Sequence, residues 1–410
     1  MVSGCAAGPS QPVSTPTFSD PKVEVTNSET SFVEPEQTSS WLTSRKPYLF
    51  VESTAVVTKK PKPKPVVVAP APVVAPVVVK PKKPKKVSQK HPKPFNVTGA
   101  TTSWSVGSTY DGIFADPEIV FHKGMWYAYA TNTSHLKVPT LTSTDLVNWY
   151  PIKDGNGNRY DVLSSVPGWV QGSDGGAGLW APSVAKMGGS WTLAYSAQQS
   201  IMGGERHNCI GLARSSRPGG PFTPTGDPLE CAPTSQLGAI DPELYVDSKG
   251  KNWMMWKFSG VVNQRPAGIF IRQLNKRGTT WKYNSEAKEI LTLQDSWEGN
   301  TIENPALVEF RGVTYLFYSA NAFITDNYAT GYAICKSVTG PCKRVSGNPF
   351  MSTSIVGYGG PGGASPFIYN NSLHLIYHAW EPGQTGGLRR MRIAGLWQGK
   401  DKLLRLVHNG

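Results

Sequence analysis

The amino-acid sequence predicts an all-β fold built from five repeated units. The first observation is a hairpin pattern, with a proline-containing run at residues 115–121, a turn at Gly124 and an aromatic-rich run at 126–130. The second is that this pattern recurs four more times, with its prolines at positions 117, 182, 242, 305 and 366. The third is the even spacing of roughly 60 to 65 residues, which is typical of one four-stranded blade. Together these observations predict a five-bladed β-propeller.

Each repeat also contains a later strand pattern. These patterns lie at 141–149, 209–215, 268–274, 332–337 and 390–397. We expect the segment that ends near Tyr110 to supply one more strand, which closes the ring against the last blade. The glycine-dense stretch 357–363 is expected to pass close to another part of the chain. The alternative fold is a β-sandwich with coincidental proline spacing, and five hairpins in phase argue against it.

The residues before the repeats divide into two segments of biased composition. Residues 1–58 are rich in Ser, Thr, Pro and Glu without periodicity, which predicts a disordered N-terminal segment. Residues 59–94 form a Lys/Pro-rich linker, in which the proline density favours the polyproline II conformation. The propeller domain is expected to occupy residues 95–410. The linker would act either as a stiff spacer that holds the folded domain away from a membrane, or as a disordered connection without a partner.

The positive charge of the chain is concentrated in that linker. The formal net charge is +13, yet residues 59–93 contain eleven lysines and no acidic residue. Nucleic-acid binding needs a basic face with interleaved aromatic side chains on the folded part, and the repeats carry little of the excess charge. We therefore expect no nucleic-acid partner. The sequence also has no run of 18 apolar residues, which argues against a membrane span.

The cysteines suggest an exported protein. Four of them form two local pairs, Cys209 with Cys231 and Cys335 with Cys342. This pairing predicts two disulfides and an oxidising compartment, with four reduced structural thiols as the alternative. Residues 2–5, which end at Cys5, fit the end of a bacterial lipoprotein signal, but the basic and apolar regions that precede such a signal are absent. Either the start of the chain is misassigned or the match is accidental; lipidation of Cys5 would tether an extracellular or cell-surface protein to the membrane.

The repeats place acidic residues at matching positions. In a propeller the first strand of each blade lines the central axis and starts at one mouth, so equivalent positions surround one opening. Directly before the five prolines stand Asp116, Ala181, Asp241, Asn304 and Ser365, and Glu303 precedes Asn304. Three of the five blades thus bring a carboxylate to the same mouth. Because like charges repel, such a group is usually retained for chemistry or for binding a cation.

Several short motifs occur in a fixed order along the repeats. They are Phe-Ala-Asp-Pro at 114–117, Ser-Thr-Asp-Leu-Val-Asn-Trp at 143–149, Leu-Trp-Ala-Pro at 179–182, Ile-Asp-Pro at 240–242, Ile-Glu-Asn-Pro at 302–305 and Tyr-His-Ala-Trp at 377–380. This ordered set resembles glycoside hydrolase family 43, the five-bladed arabinanase, arabinofuranosidase and β-xylosidase family. The resemblance covers about residues 105–397. The Asn-Asp-Pro opening of invertase-like propellers is missing.

The resemblance implies a role for each carboxylate. Asp116 would be the general base that activates water, and Glu303 the general acid that protonates the leaving oxygen. Asp241 would orient Glu303 and keep it protonated, as a neighbouring carboxylate can. Inversion of configuration needs the acid and the base on opposite faces of the sugar, about 6.5–9.5 Å apart. Asp111 is a weaker candidate for the base.

Other positions bear on substrate and ion binding. Four aromatic residues are expected either to stack on sugar rings or to belong to the core: Phe114, Trp180, Trp297 and Phe323. The resemblance implies no required cofactor. Many family members carry a histidine where this chain has Gly363, which argues against a central calcium or similar ion. His374 and His378 alternate with apolar residues on a strand, and we interpret them as structural.

The sequence therefore predicts a secreted, inverting glycoside hydrolase. Its substrates would be arabinose- or xylose-containing polysaccharides (arabinan, arabinoxylan) or related furanosides. The alternative is a carbohydrate-binding propeller without turnover, in which the acids would only hydrogen-bond sugar hydroxyls. The presence of all three acids in register favours the enzyme. The expected partner is a polysaccharide or oligosaccharide substrate, and we expect the protein to be a monomer.

Overall fold

The computed structural model describes residues 106–107, 110–172, 178–199, 207–231, 238–261 and 264–407. All of these lie in the second of the two units into which the chain divides, residues 85–410. The segments predicted at 1–58, with Cys5, and at 59–94 lie outside the described residues. No helix within the described ranges is long and apolar enough to cross a membrane.

The first three blades follow the order of the chain. A two-residue strand, β1 (Val106–Gly107), comes first and belongs to the last sheet. Blade one contains β2 (Glu118–His122), β3 (Met125–Tyr129), β4 (Thr140–Ser143) and β5 (Tyr150–Pro151). Blade two contains β6 (Leu179–Met187), β7 (Ser190–Gln198), β8 (Asn208–Ser215), β9 (Thr223–Pro224) and β10 (Glu230–Cys231). Blade three contains β11 (Ala239–Val246), β12 (Asn252–Phe258), β13 (Gly268–Gln273) and β14 (Lys288–Thr292).

The last two blades are each preceded by a short helical segment. A 3-10 turn (Ser296–Glu298) precedes blade four, and the helix α1 (Thr353–Val356) precedes blade five. Blade four contains β15 (Ile302–Phe310), β16 (Val313–Ala320), β17 (Ala329–Cys335) and β18 (Cys342–Arg344). Blade five contains β19 (Gly359–Tyr369), β20 (Ser372–Trp380), β21 (Arg390–Gln398) and β22 (Leu404–Leu406), together with β1. All strand pairs within the blades are antiparallel, as in a propeller.

The five sheets close into a ring. The first strand of each blade packs against the first strand of the next, in the order β2, β6, β11, β15 and β19, and β19 packs back against β2. The strand β1 pairs with β21, with Val106 opposite Ile393 and Gly107 opposite Arg392. The predicted five-bladed propeller is therefore confirmed, as is the closing strand before Tyr110.

The hydrophobic core lies between the blades. Among the described residues, five clusters of buried side chains occur, and each draws on two neighbouring blades. Between blades five and one, for example, the rings of Trp126 and Phe367 meet edge to face with centroids 5.3 Å apart. Because apolar burial is what favours docking of one sheet on the next, these clusters hold the ring together.

Both predicted disulfides are present. Cys209 of β8 is bonded to Cys231 of β10, and Cys335 of β17 is bonded to Cys342 of β18. In each pair the two cysteines lie directly opposite each other on neighbouring strands. Each bond thus joins the third strand of a blade to a strand at its outer edge.

One predicted strand is shorter than expected. The pattern at 141–149 predicts a strand up to Trp149, but β4 ends at Ser143. There Oδ1 of Asp145 accepts the backbone N–H groups of Val147 and Asn148, at 2.9 and 2.7 Å. A short acidic side chain can compete in this way with the strand ladder, and a turn results.

Candidate active site

Five equivalent residues, each at or near the mouth end of an inner strand, share an unusual backbone conformation. Each has a positive φ, a region that is costly for residues other than glycine. The φ values are 50° for Asp116, 42° for Ala181, 54° for Asp241, 47° for Asn304 and 58° for Gly363. In blades two to five a register irregularity spans this position, and such bulges redirect side chains. All five residues line one cavity, which the five inner strands share.

The fifth position is Gly363 and not Ser365. Ser365 pairs with Ile376 on the neighbouring strand, as Glu118 pairs with Tyr129 in blade one. Ser365 thus lies one layer deeper in the cavity than expected. The reason is that β19 has two register irregularities within its glycine-rich first half, so its proline is not equivalent to the other four.

The three predicted carboxylates meet around Asn304. The side-chain amide of Asn304 donates to Oδ1 of Asp116 at 3.3 Å, and its backbone N–H donates to Oδ2 of Asp241 at 3.1 Å. The same amide reaches the hydroxyl of Tyr328 at 3.1 Å, and that hydroxyl donates to Oε1 of Glu303 at 2.7 Å. Residues from blades one, three and four are therefore brought together, as the repeat predicted.

The surroundings of Asp116 favour its ionised form. Although burial acts to raise it, the pKa of Asp116 is held below its usual range by Arg389 and by hydrogen bonds from Thr131 and Asn304. Thr131 Oγ1 donates to Oδ2 at 2.6 Å, and Nη1 of Arg389 lies 3.6 Å from Oδ1. The backbone N–H of Asp116 donates to Nδ1 of His378 at 2.9 Å. An ionised carboxylate in this position can accept a proton from water.

Asp241 has the opposite character to Asp116. Burial and the neighbouring Glu303 raise the pKa of Asp241 to about 8, although Lys257 opposes the shift. Asp241 therefore carries a proton at neutral pH. Its backbone N–H donates to Oγ of Ser196 at 2.8 Å, which fixes the start of β11. One mouth of the ring thus combines an ionised carboxylate with a pair of acids that retains a proton, the arrangement that acid–base catalysis needs.

Comparison with known proteins identifies the family. The family model described as glycosyl hydrolases family 43 matches residues 109–397, well over half of the chain. The chain belongs to glycosyl hydrolases family 43. It is therefore a glycosidase that hydrolyses O-glycosyl bonds.

Its similarity to individual relatives extends over most of their length. The chain is 27% identical over 285 residues to an extracellular endo-α-(1→5)-L-arabinanase of Bacillus subtilis, covering 66% of this chain and 81% of the relative. It is 25% identical to an extracellular exo-α-(1→5)-L-arabinofuranosidase of Cellvibrio japonicus, covering 70% of this chain and 84% of the relative. The crystal structure of a thermostable family-43 glycoside hydrolase superposes with a TM-score of 0.61 at 25% identity, covering 76% of this chain and 96% of the other.

The four predicted aromatic positions of this family 43 enzyme differ in exposure. Phe114 is 1% exposed and packs in the core between blades five and one, so it offers no face to a sugar. Trp297 is partly buried and packs on Tyr318, with ring centroids 5.8 Å apart. Trp180 is half-buried beside Ala181. Phe323 is 48% exposed, and Cζ of Arg389 lies over its ring, 5.3 Å from the ring centroid.

Sequence reasoning missed the residues that surround the carboxylates. Lys257 could have been noticed in the sequence, because it is a lysine among the otherwise mostly buried residues of β12. Tyr328 and Arg389 lie just before β17 and β21, and no local pattern distinguishes them from other loop residues. His378 was interpreted as structural, and its contact with the Asp116 backbone places that structural role at the site itself. Asp111, the weaker candidate for the base, is exposed and does not line the cavity.

Position 363 has no room for the histidine that the family resemblance would place there. A Cβ atom at this position would lie 2.7 Å from Nδ1 of His378 and 2.9 Å from Oδ1 of Asp116, so a side chain has no room. Nδ1 of His378 already accepts a hydrogen bond from the Asp116 backbone. Within the described residues, no group of three or more His, Cys, Asp or Glu side chains is arranged to hold a metal ion.

Proposed function

We propose that this protein is an exported, inverting glycosidase that cleaves arabinose- or xylose-containing polysaccharides, such as arabinan and arabinoxylan, or related furanosides. The observation that carries the proposal is the meeting of Asp116, Asp241 and Glu303 around Asn304, where the pKa of Asp116 is lowered and that of Asp241 is raised. An inverting enzyme needs an ionised base and a protonated acid at the same time, which such a site provides.

The reaction follows from these protonation states. Asp116 takes a proton from a water molecule whose oxygen attacks the anomeric carbon. On the opposite face, Glu303 donates its proton to the glycosidic oxygen as the bond between that oxygen and the anomeric carbon breaks. The products are a sugar of inverted configuration and a shortened chain with a new hydroxyl. Afterwards Asp116 holds the extra proton and Glu303 is ionised, and exchange with solvent restores both.

Asp241 keeps a proton close to the acid. Its carboxyl faces the same Asn304 as Asp116, and it interacts electrostatically with Glu303. Two neighbouring carboxylates cannot both ionise easily, so the pair retains one proton through neutral pH. We infer that this shared proton is the one that reaches the leaving oxygen by way of Glu303.

The relatives and the surface of the site support the substrate class. The similar proteins of Bacillus subtilis and Cellvibrio japonicus are named as extracellular enzymes of α-(1→5)-linked arabinose chains. Trp180 and Phe323 present aromatic surface near the mouth, which suits the C–H faces of sugars. Export is further supported by the two disulfides. A monomer, and a tether through lipidated Cys5, remain part of the proposal.

Product analysis tests this function directly. Purified protein is incubated with arabinan, arabinoxylan, xylan and galactan, and the anomeric protons of the first products are followed by NMR. We expect hydrolysis of an arabinose- or xylose-containing polymer, with the inverted anomer appearing first. Retention of configuration would reject the mechanism, and hydrolysis of galactan alone would reject the substrate class.

Glu303→Gln provides the matching mutational test. The amide preserves the shape of the side chain but has no acidic proton to donate, so kcat on the polymer should fall about 10²–10⁴-fold. The loss should be much smaller on an aryl glycoside, because a good leaving group needs little protonation. Unchanged activity on the polymer would remove Glu303 from the proposed role.

A further inference from the structure

Lys257 is a charged side chain inside the wall of the ring. It lies on β12 among buried residues and is itself 5% exposed. Its Nζ atom lies 2.7 Å from Oε2 of Glu303, which belongs to the next blade. Although burial acts to lower it, the pKa of Lys257 is raised by Glu303 and Asp241, so the ammonium group stays charged. Because a buried charge is costly unless it is paired, the contact ties Lys257 to the acid pair.

The two oxygens of Glu303 meet different kinds of donor. An ammonium group has three hydrogens and no lone pair, so at Oε2 Lys257 can only donate. At Oε1 the partner is the hydroxyl of Tyr328, which can donate or accept. The amide of Asn304 donates to the same hydroxyl, and a hydroxyl oxygen has a second lone pair for another donor. In the structure both oxygens accept, but the Tyr328 hydroxyl can rotate to accept from a protonated Oε1, whereas Lys257 cannot accept from a protonated Oε2. A proton on Glu303 is therefore favoured on Oε1.

We propose that Lys257 is a positioning residue that places the catalytic proton of Glu303 on Oε1 and sets the pH at which the Asp241–Glu303 pair loses that proton. The inference rests on the proposed function, since it takes Glu303 as the general acid. The ammonium group disfavours a proton on Oε2, because a protonated oxygen is a poorer acceptor for its N–H groups than an ionised one. Its charge also stabilises the ionised carboxylate that remains after proton transfer, so release of the proton to the leaving oxygen becomes easier.

Other charged groups near the pair act from different directions. The titratable and charged groups that face it are Lys257 from β12, Asp116 before β2 and Tyr328 before β17, with Arg389 and His378 beside Asp116. Arg389 and His378 contact Asp116, whereas Lys257 contacts Glu303. Removal of the Lys257 charge should therefore change the titration of the acid pair far more than that of the base.

The test is the pH–rate profile of Lys257→Met. Without the ammonium charge the pair should hold its proton more tightly, so the alkaline limb of kcat/KM should move upward by about 1 on the pH scale. At neutral pH, kcat on the polymer should fall about tenfold or more, and less on an aryl glycoside, because the proton is now shared between both oxygens. The acid limb, which reports Asp116, should stay in place.

Two further variants separate this role from a structural one. Lys257→Arg keeps both the charge and the donors, so it should return the alkaline limb toward the wild-type position. Lys186→Met removes an exposed lysine from β6 and should leave the profile unchanged. A folded Lys257→Met protein, checked by circular dichroism, whose alkaline limb does not move would overturn the proposal. If the methionine variant does not fold, Lys257→Gln replaces it in every arm.

A measurement without substrate separates this inference from the proposed function. Infrared titration of protonated carboxyl groups, with Asp241→Asn and Glu303→Gln to assign the bands, should show that the pair keeps its proton to higher pH in Lys257→Met than in the wild type. A protein that hydrolyses none of the four polysaccharides would fail the proposed function, yet the titration would still decide the role of Lys257. Identical titration curves would reject that role.

Discussion

Blades one, three and four differ from blades two and five at the mouth of the ring. Blade one supplies Asp116, blade three supplies Asp241, and blade four supplies Glu303 and Asn304; the other two blades supply Ala181 and Gly363. The equivalent mouth position has a positive φ in all five blades. Because this conformation occurs with and without a carboxylate, it belongs to the architecture of the propeller. A carboxylate at the mouth is not part of that architecture, since only three of the five blades supply one.

The two blades without a carboxylate nevertheless help to position the carboxylates of the other three. The backbone N–H of Ala181 donates to Thr131 Oγ1 at 2.9 Å, which leaves the Thr131 hydroxyl hydrogen free to reach Oδ2 of Asp116. Gly363, with no Cβ, leaves room for His378, whose Nδ1 accepts the backbone N–H of Asp116. Blades one, three and four therefore supply the carboxylates, and blades two and five position Asp116.

The largest effect on activity is expected from Asp116→Asn, which removes the proposed base. Asp116→Asn keeps the shape of the side chain but cannot take a proton from water, so kcat should fall about 10²–10⁴-fold. Unlike the Glu303→Gln loss, this one should be as large on an aryl glycoside as on the polymer, because water activation is needed in both reactions. Initial rates on the two substrate types check the prediction. A variant that is rescued by the good leaving group would assign the base elsewhere.

A smaller effect is expected from Asp241→Asn, which removes the carrier of the shared proton. The wild-type alkaline limb should lie near pH 8, where Asp241 titrates. In the variant one ionisable neighbour is gone, so the limb should move to lower pH, and kcat at neutral pH should fall about tenfold or more. The pH–rate profile is the measurement, and a limb that moves upward would contradict the assigned role.

The same variant should change how stability depends on pH. The pKa of Asp241 is raised in the folded state from 3.8 to about 8, so wild-type stability should decrease as pH rises through that window. Asn cannot titrate, and the Asp241→Asn protein should therefore gain stability relative to the wild type between pH 5 and pH 8, as followed by Tm. A constant Tm difference across this range would show that Asp241 does not titrate there.

Gly363→Ala tests whether the mouth position of blade five must lack a side chain. The new Cβ would meet His378 Nδ1 at 2.7 Å and Asp116 Oδ1 at 2.9 Å, at a φ of +58°. We expect a loss of about 1–3 kcal/mol of stability and about a tenfold lower kcat, because the base is displaced. Gly386→Ala is the control, since Gly386 has a φ of +82° but nothing within 4 Å of a Cβ. The control should lose less stability and no activity.

The smallest effect is expected in blade two. Ala181→Gly removes a Cβ from a residue with a φ of 42°, which should relieve strain but also enlarge the unfolded ensemble. These two contributions nearly cancel, so Tm should change by no more than a few degrees and kcat should stay within about twofold. A large loss of activity would show that Ala181 does more than present its backbone N–H group to Thr131.

The parts of the site that repeat could be predicted from the sequence, and the parts that do not repeat could not. The even spacing of the prolines superimposes Asp116 and Asp241, and it places Glu303 beside the equivalent Asn304. In blade five the extra glycines shift the register, so the same spacing led to Ser365 in place of Gly363. A proline marks a strand start only while the number of residues before the bulge stays constant.

The residues around the carboxylates show a second limit. Lys257 reaches Glu303 from another blade, and Arg389 reaches Asp116 from the end of the domain. Such contacts depend on how neighbouring sheets are oriented, and a single strand pattern holds no information about that. Phe114 shows the same limit, because the sequence left open whether it stacks on a sugar or belongs to the core, and in the structure its ring fills the core between two blades.

The pairing of β1 with β21 also affects how the protein can be made. A ribosome produces β1 first and β21 almost last, so the opening strand must wait for its partner until nearly the whole domain has been translated. Until then the nascent ring has open sheet edges, which are prone to pair with other chains. A truncated translation product that lacks blade five would keep those edges permanently, and we expect it to depend on chaperones or to be degraded.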